Sequence, residues 1–307
     1  MPSGKVIHLF KKEKMKVSLT YQAEFILGES PVWDYRSGEL LWVDIENKTL
    51  NFYKTDTKKY EVFRFDNHPG CVVPIIGGHY LLGLQKGLAV FNRDKGSLSY
   101  VSDPEKELKQ NRFNDGKCDP RGRFWVGSMH LKAKEGRGTL YCLDNSMNVF
   151  SKIRGLSVPN GMAWSADNKK MFFIDSQTRK VFQFDYCDET SEISNQMIAI
   201  DVPEKHGLPD GMCIDHEGML WIAHWGGGNV SRWNPENGKL LRKISIPSPH
   251  VTSCCFGNTH LDTLYITTAR KGLSAEEIHA YPLSGSVFSI KPEVRGLKTS
   301  YYKINSY

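Results

Sequence analysis

A short pattern returns along the whole chain: small and polar residues with a Gly or Pro, an apolar run, a tight turn, then a second run rich in aromatics. Its most informative copy covers residues 111–129. Arg112, Asn114 and Asp115 come first and Gly116 follows. Asp119-Pro120-Arg121-Gly122 makes a turn in which Pro presets φ and Gly accepts a positive φ. Arg123-Phe124-Trp125-Val126-Gly127 then reads as a short aromatic strand. Comparable openings stand at Gly28-Glu29-Ser30-Pro31, Cys71-Val72-Val73-Pro74, Val158-Pro159-Asn160-Gly161, Leu208-Pro209-Asp210-Gly211 and Val251-Thr252-Ser253. They recur about every 40–50 residues, roughly the span of one four-stranded propeller blade.

A blade cannot bury both of its faces alone, so blades stack radially around a channel. Six units fit 307 residues. The pattern therefore predicts an all-β fold, a six-bladed β-propeller with four antiparallel strands per blade around a central channel. Residues 17–307 are expected to form one domain, and residues 1–16 a flexible N-terminal extension, with Met15 as an alternative start. A strand at 17–21 is expected to complete the last blade, because closing the ring leaves fewer bare edges. A pair of β-sandwiches is the competing architecture, but it does not explain one opening motif per unit. The helical candidates, 104–110 and 274–280, are short.

Composition narrows the function. The chain carries 40 Lys+Arg against 34 Asp+Glu, a formal charge of +6 spread along its length. Nucleic-acid binding needs a clustered basic face, and only Lys11, Lys12, Lys14 and Lys16 cluster, which reads as a solvated tail. No apolar run approaches the ~18 residues of a membrane span. Val6-Ile7-His8-Leu9-Phe10 is too short for a secretory signal, and its lysines follow it. Seven cysteines, an odd number without a C-x-x-C pair, predict free thiols and a reducing, cytoplasmic setting without a zinc ribbon. No membrane, nucleic-acid or obligate protein partner is expected.

In a propeller the innermost strand of each blade lines the channel, and the segment before it projects at one mouth. Glu29, Arg112, Asn114, Asn160, Asp210 and Thr252-Ser253 occupy those openings. Two carboxylates, two amides and a guanidinium from different blades would converge on the axis. Carboxylate and amide oxygens are hard ligands suited to Ca²⁺, Mg²⁺ or Mn²⁺, and Zn²⁺ also accepts them. Against this stands the plain reading that Asn-Gly and Asp-Gly are ordinary turn dipeptides. The pattern leaves both open, although several units place a polar residue at the same phase.

The runs Gly28-Glu29-Ser30-Pro31-Val32-Trp33, Arg112-Phe113-Asn114-Asp115-Gly116-Lys117, Pro159-Asn160-Gly161-Met162-Ala163-Trp164, Pro209-Asp210-Gly211-Met212-Cys213-Ile214-Asp215 and Thr252-Ser253-Cys254-Cys255-Phe256-Gly257 resemble, in order, those of the regucalcin / gluconolactonase / luciferin-regenerating-enzyme family of six-bladed propellers. The resemblance implies hydrolysis of sugar lactones with one divalent metal ion (Ca, Zn, Mn or Mg). It implies Glu29, Asn160 and Asp210 as metal ligands, Asp210 as the base for the attacking water, and Arg112 and Asn114 as holders of the lactone, Asn114 also lying near the metal. Related members often carry an acid in the loop after the third unit's second strand. Here Gly127-Ser128-Met129 is followed by His130-Leu131-Lys132-Ala133-Lys134. Lys132 is thus expected at the substrate rim, favouring a carboxylate-bearing or otherwise anionic substrate.

Other chemistries lack support. There is no G-x-S-x-G, H-E-x-x-H or EF-hand loop. His206, His224 and His250 read as wall or loop residues, and Trp33, Trp42, Trp125, Trp164 and Trp221 as packing between blades. Two alternatives remain: a non-catalytic calcium-binding regulator of the regucalcin type, and an enzyme that shares the metal but acts on a specialised luciferin- or nitrile-related substrate.

Overall fold

A computed structural model describes residues 15–305. The basic stretch at Lys11, Lys12 and Lys14 and most of the expected N-terminal extension lie outside the described residues. Met15 and Val17 pack against the core between the last two blades.

The chain starts with strand β1 (Ser18–Tyr21) and then lays down six four-stranded antiparallel sheets. Blade 1 is β2 (Gly28–Asp34), β3 (Glu39–Asp44), β4 (Thr49–Lys54) and β5 (Lys59–Arg64). Blade 2 is β6 (Pro69–Pro74), β7 (Tyr80–Leu84), β8 (Gly87–Asn92) and β9 (Ser97–Ser102). Blade 3 is β10 (Asn111–Cys118), β11 (Phe124–His130), β12 (Gly138–Leu143) and β13 (Val149–Leu156). Blade 4 is β14 (Pro159–Trp164), β15 (Lys170–Asp175), β16 (Lys180–Cys187) and β17 (Glu192–Asp201). Blade 5 is β18 (Leu208–Ile214), β19 (Leu220–Trp225), β20 (Asn229–Asn234) and β21 (Lys239–Ser245). Blade 6 is β22 (His250–Gly257), β23 (Thr263–Ala269) and β24 (Val287–Ile290), with β1 as its outer strand. The first strand of each blade packs beside that of the next, and β22 returns to β2, which closes the ring. The six-bladed propeller read from the repeat is the fold, with the N-terminal strand closing the last blade.

Six hydrophobic clusters fill the six gaps between blades. Leu41, Leu50 and Phe52 of blade 1 meet Val72, Leu82 and Phe91 of blade 2, and Trp125 of blade 3 meets Met162, Trp164 and Phe173 of blade 4. The expected tryptophans do pack here: Trp33 stacks on Tyr265, and Trp221 sits edge-on to Phe256. The inner strands are buried almost throughout, whereas the outer strand β5 alternates between exposed and half-buried residues. Three outer strands, β13, β17 and β21, are not read from the sequence, because their apolar and polar residues do not alternate regularly along the chain.

The turns after β2, β10 and β18 share one device. Asp34, Asp119 and Asp215 are fully buried, and each accepts backbone N–H groups of its own turn. Asp119 also accepts from Trp125 Nε1 (3.0 Å), Tyr186 OH (2.7 Å) and Arg123 Nε (2.6 Å). Asp215 likewise holds Trp221 Nε1 (2.9 Å) and Arg232 Nε (2.7 Å). Of the two helical candidates, 274–280 yields α1 (Ala275–Ala280), which Ser274 and Glu277 close with a capping box. Residues 104–110 form successive turns instead.

Candidate active site

The polar residues of the openings do not lie in loops ahead of the strands, as the sequence suggested. Glu29, Arg112, Asn114, Asn160 and Asp210 are all inside the inner strands, near their beginnings. The difference has a local cause. Each of these four strands breaks register with its neighbour at this level, between Glu29 and Val32, Phe113 and Gly116, Pro159 and Met162, and Pro209 and Met212. A bulge adds a residue to one strand, bends it and re-aims a side chain. Ser30 in the first bulge takes a left-handed φ of 48°.

The Asn-Gly and Asp-Gly pairs are therefore not turns. A Cβ on Gly161 would stand 2.6 Å from Met212 N and 2.8 Å from Asp210 O, and one on Gly211 would run into the Ser253 side chain. Glycine is needed here because two inner-strand backbones approach closely at the channel wall.

Five of the six candidate residues are buried together at one end of the channel. Arg112 Nη1 donates to Asn114 Oδ1 (2.7 Å) and Phe113 O (2.9 Å). Asn114 Nδ2 donates to Pro159 O (2.9 Å) and Asn160 Oδ1 (3.3 Å), and Asn160 Nδ2 donates to Ser176 Oγ (2.9 Å). This ladder fixes both ends of the Asn160 amide, its oxygen on Asn114 and its nitrogen on Ser176. Glu29 Oε2 accepts from Ser30 N (2.9 Å), whereas Asp210 Oδ1 is buried with no hydrogen-bond partner. Thr252 Oγ1 donates to Gly28 O (2.5 Å) and seals blade 6 to blade 1 beside Glu29.

The electrostatics follow from burial. Desolvation, then the charge of Asp115, pushes the Glu29 carboxyl up to about 8, against the Ser30 N–H and the Arg112 charge. Desolvation and the charges of Glu29 and Asp115 push Asp210 well above the ordinary carboxylate range. Burial also raises Asp115, which Lys117 partly offsets, and it lowers Arg112. Lys117 offsets Asp115 only in part, so three buried carboxyls act on one another, and the Arg112 guanidinium answers both Glu29 and Asp210. Two buried carboxylates that share one counter-charge, with one oxygen unpartnered, are the setting in which a divalent cation relieves repulsion and desolvation together. The donor set of two carboxylates and an amide oxygen suits a hard cation. Among the described residues no three His, Cys, Asp or Glu side chains form a cation-binding group.

Lys132 stands apart from this set. It is exposed on the loop after β11, at the same mouth, and its backbone N–H donates to His130 Nδ1 (3.0 Å). Sequence reasoning assigned no role to Asp115 or Ser176. Asp115 sits one residue past Asn114, where its charge reaches both Glu29 and Asp210. Ser176 follows a strand in another part of blade 4, with no spacing to betray it. The large cavity of the channel, about 240 Å³, lies toward the opposite end, lined by Asp115, Lys117, Cys213, Ser253 and Leu297.

With this geometry in place, similarity to known proteins becomes specific. Residues 27–270 match the SMP-30/Gluconolactonase/LRE-like region family. The chain belongs to this family. Regucalcin of Danio rerio is 36% identical, the match covering 90% of this chain and 94% of the relative. A Bacillus subtilis protein, YvrE, provisionally named a sugar lactone lactonase, is 31% identical over 92% of this chain and 97% of its own. The crystal structure of a calcium-binding protein, regucalcin, from Agrobacterium tumefaciens superposes with a TM-score of 0.91 at 26% identity, covering 94% of this chain and 98% of that one. This SMP-30/gluconolactonase-type chain thus shares its full propeller with relatives named for both lactone chemistry and calcium. Among the described residues no helix is long and apolar enough to cross a membrane.

Proposed function

We propose that this protein is a divalent-metal-dependent hydrolase of sugar lactones, with Glu29, Asn160 and Asp210 as metal ligands. The observation that supports the reading is a pair of mutually repelling buried carboxylates, one with an unpartnered oxygen, at the end of the channel where Asn114 and Asn160 are also buried. The family's gluconolactonase members and the YvrE relative support the lactone as substrate class.

A bound dication would supply Lewis-acid polarisation of the lactone carbonyl and would favour the ionised form of both carboxyls. The chain's own groups do the rest. Arg112 spends Nη1 on the ladder and keeps Nη2 and Nε for substrate hydroxyl or ring oxygens. Asn114 holds Arg112 and Asn160 in register. Asp210 takes the proton of the attacking water at its unpartnered Oδ1 as the water oxygen bonds to the carbonyl carbon. The ring C–O bond then breaks, and Asp210 returns the proton to the ring oxygen, which leaves as a hydroxyl on the opened acid.

The relatives named regucalcin favour a second reading, a calcium-binding protein without catalysis. One experiment separates the two. Metal-stripped protein is given Ca²⁺, Zn²⁺, Mn²⁺ or Mg²⁺ in turn and assayed on an aldonolactone panel. Turnover restored by at least one ion is expected. Tight calcium binding with no turnover under any ion would overturn the hydrolase reading.

A further inference from the structure

The loop 131–137 carries Lys132, Lys134 and Arg137 against a single acid, Glu135, and all four are exposed. None of them takes part in an ion pair among the described residues. The nearby acid Glu105 is buried and fully engaged by Asn111 Nδ2, Ser128 Oγ and Tyr141 OH, each at 2.7 Å.

The loop's position is set by its contacts. It leaves β11 where Met129 and His130 pair with Arg112 and Asn111. It then leans onto blade 4: Gln177 Nε2 donates to Ala133 O (2.9 Å), and Gly136 N donates to Ser157 Oγ (3.3 Å). Gln177 is adjacent to Ser176, which holds Asn160. The loop that carries the cations is thus tied at its base to the strand of Arg112 and at its middle to the residue next to Ser176. At the loop's base, burial and then the charges of Lys134, Arg137 and Lys132 hold the His130 imidazole below its ordinary value.

We propose that this loop is the specificity-determining rim of the site and selects lactones that carry a second, anionic group, a carboxylate or a phosphate, at the end of the sugar away from the carbonyl. The inference rests on the lactonase reading for its reaction but not for its charge. Side-chain ammonium and guanidinium groups on a rim act on encounter and on ground-state binding, so the effect belongs mainly in KM.

The test compares three lactones: neutral gluconolactone, a glucarolactone with a free carboxylate, and a 6-phosphate ester of gluconolactone. Wild-type protein should show the higher kcat/KM on one or both anionic substrates, and the carboxylate and phosphate arms identify the source of the charge. Lys132→Glu and Lys134→Glu should each lower the anionic-to-neutral ratio about tenfold, while Lys132→Arg should keep it. Calorimetric binding of glucarate to the same variants supplies a readout that needs no turnover. Ratios and glucarate affinities unmoved by charge reversal would overturn the rim assignment and leave the lactonase intact. Charge-dependent glucarate binding with no lactone turned over would support the rim and overturn the lactonase.

Discussion

Asp210 and Asp119 are both aspartates buried on or beside an inner strand, and they differ in how their oxygens are spent. Asp119 accepts from two backbone N–H groups, a guanidinium, an indole and the phenol of Tyr186, and ties blade 3 to blade 4. Asp210 Oδ1 accepts from nothing. A buried carboxyl with an unpartnered oxygen costs stability and is retained where it serves chemistry. Asp210→Asn is therefore expected to lower kcat/KM on lactones by about 10²–10⁴ and to leave the melting temperature of the metal-free protein equal or higher, as steady-state assays and calorimetry would show. Glu29 makes a second prediction. Its carboxyl is raised to about 8 from an ordinary value near 4.5, so the metal-free fold holds a proton that the unfolded chain releases. A raised carboxyl contributes stability that is complete below about 4.5 and is lost as pH rises through about 8. Metal-free wild type should lose stability across that window, and Glu29→Gln should flatten the slope in denaturant titrations. The same proton must leave when a cation binds, so cation affinity should rise with pH up to about 8, with proton release measurable in buffers of different ionisation heat.

The strands carry the next level of the argument. All six inner strands break register near their beginnings; Asn114, Asn160 and Asp210 lie within three of these breaks and Glu29 at the edge of a fourth. The glycines at 161 and 211 let neighbouring inner strands approach there. Gly161→Ala would press a methyl against Met212 N and Asp210 O. Its expected cost is about 1–3 kcal/mol in chemical denaturation, with a larger proportional loss of activity than of stability, because the backbone that moves carries Asp210. Much of this was legible beforehand. The opening motifs marked where each inner strand begins, and the acids and amides at the same phase of the repeat marked the site. What escaped were β13, β17 and β21, whose apolar and polar residues do not alternate regularly, and the bulges, which depend on pairing with a neighbour. Reading Asn160 and Asp210 as loop residues was the result. The exposed rim of Lys132, Lys134 and Arg137 was partly visible as charge, but its tether to blade 4 through Gln177 was not.

For the molecule as a whole, closure matters most. β1 pairs with β24 through Ser18, Leu19 and Tyr21, and Tyr21 stacks on Tyr60 and packs against Trp42 of blade 1. The N-terminal strand thus joins the last blade to the first, and without it β24 becomes a bare edge. Removal of residues 1–21 is expected to lower the melting temperature by several degrees and to promote self-association, visible by light scattering. Six separate gap clusters make each blade's stability depend on its neighbours, so loss at one seam is felt around the ring. By itself the sequence determined the blade count, the strand alternation and the polar residues placed at the channel, because repeat period and hydrophobic pattern are local properties of the chain. Only the tertiary structure decided that the charge of Arg112 acts on both Glu29 and Asp210, far apart in the chain, and that Asn160 is held between Asn114 and Ser176. Burial and ring closure create those relations, and neither acts on a segment taken alone.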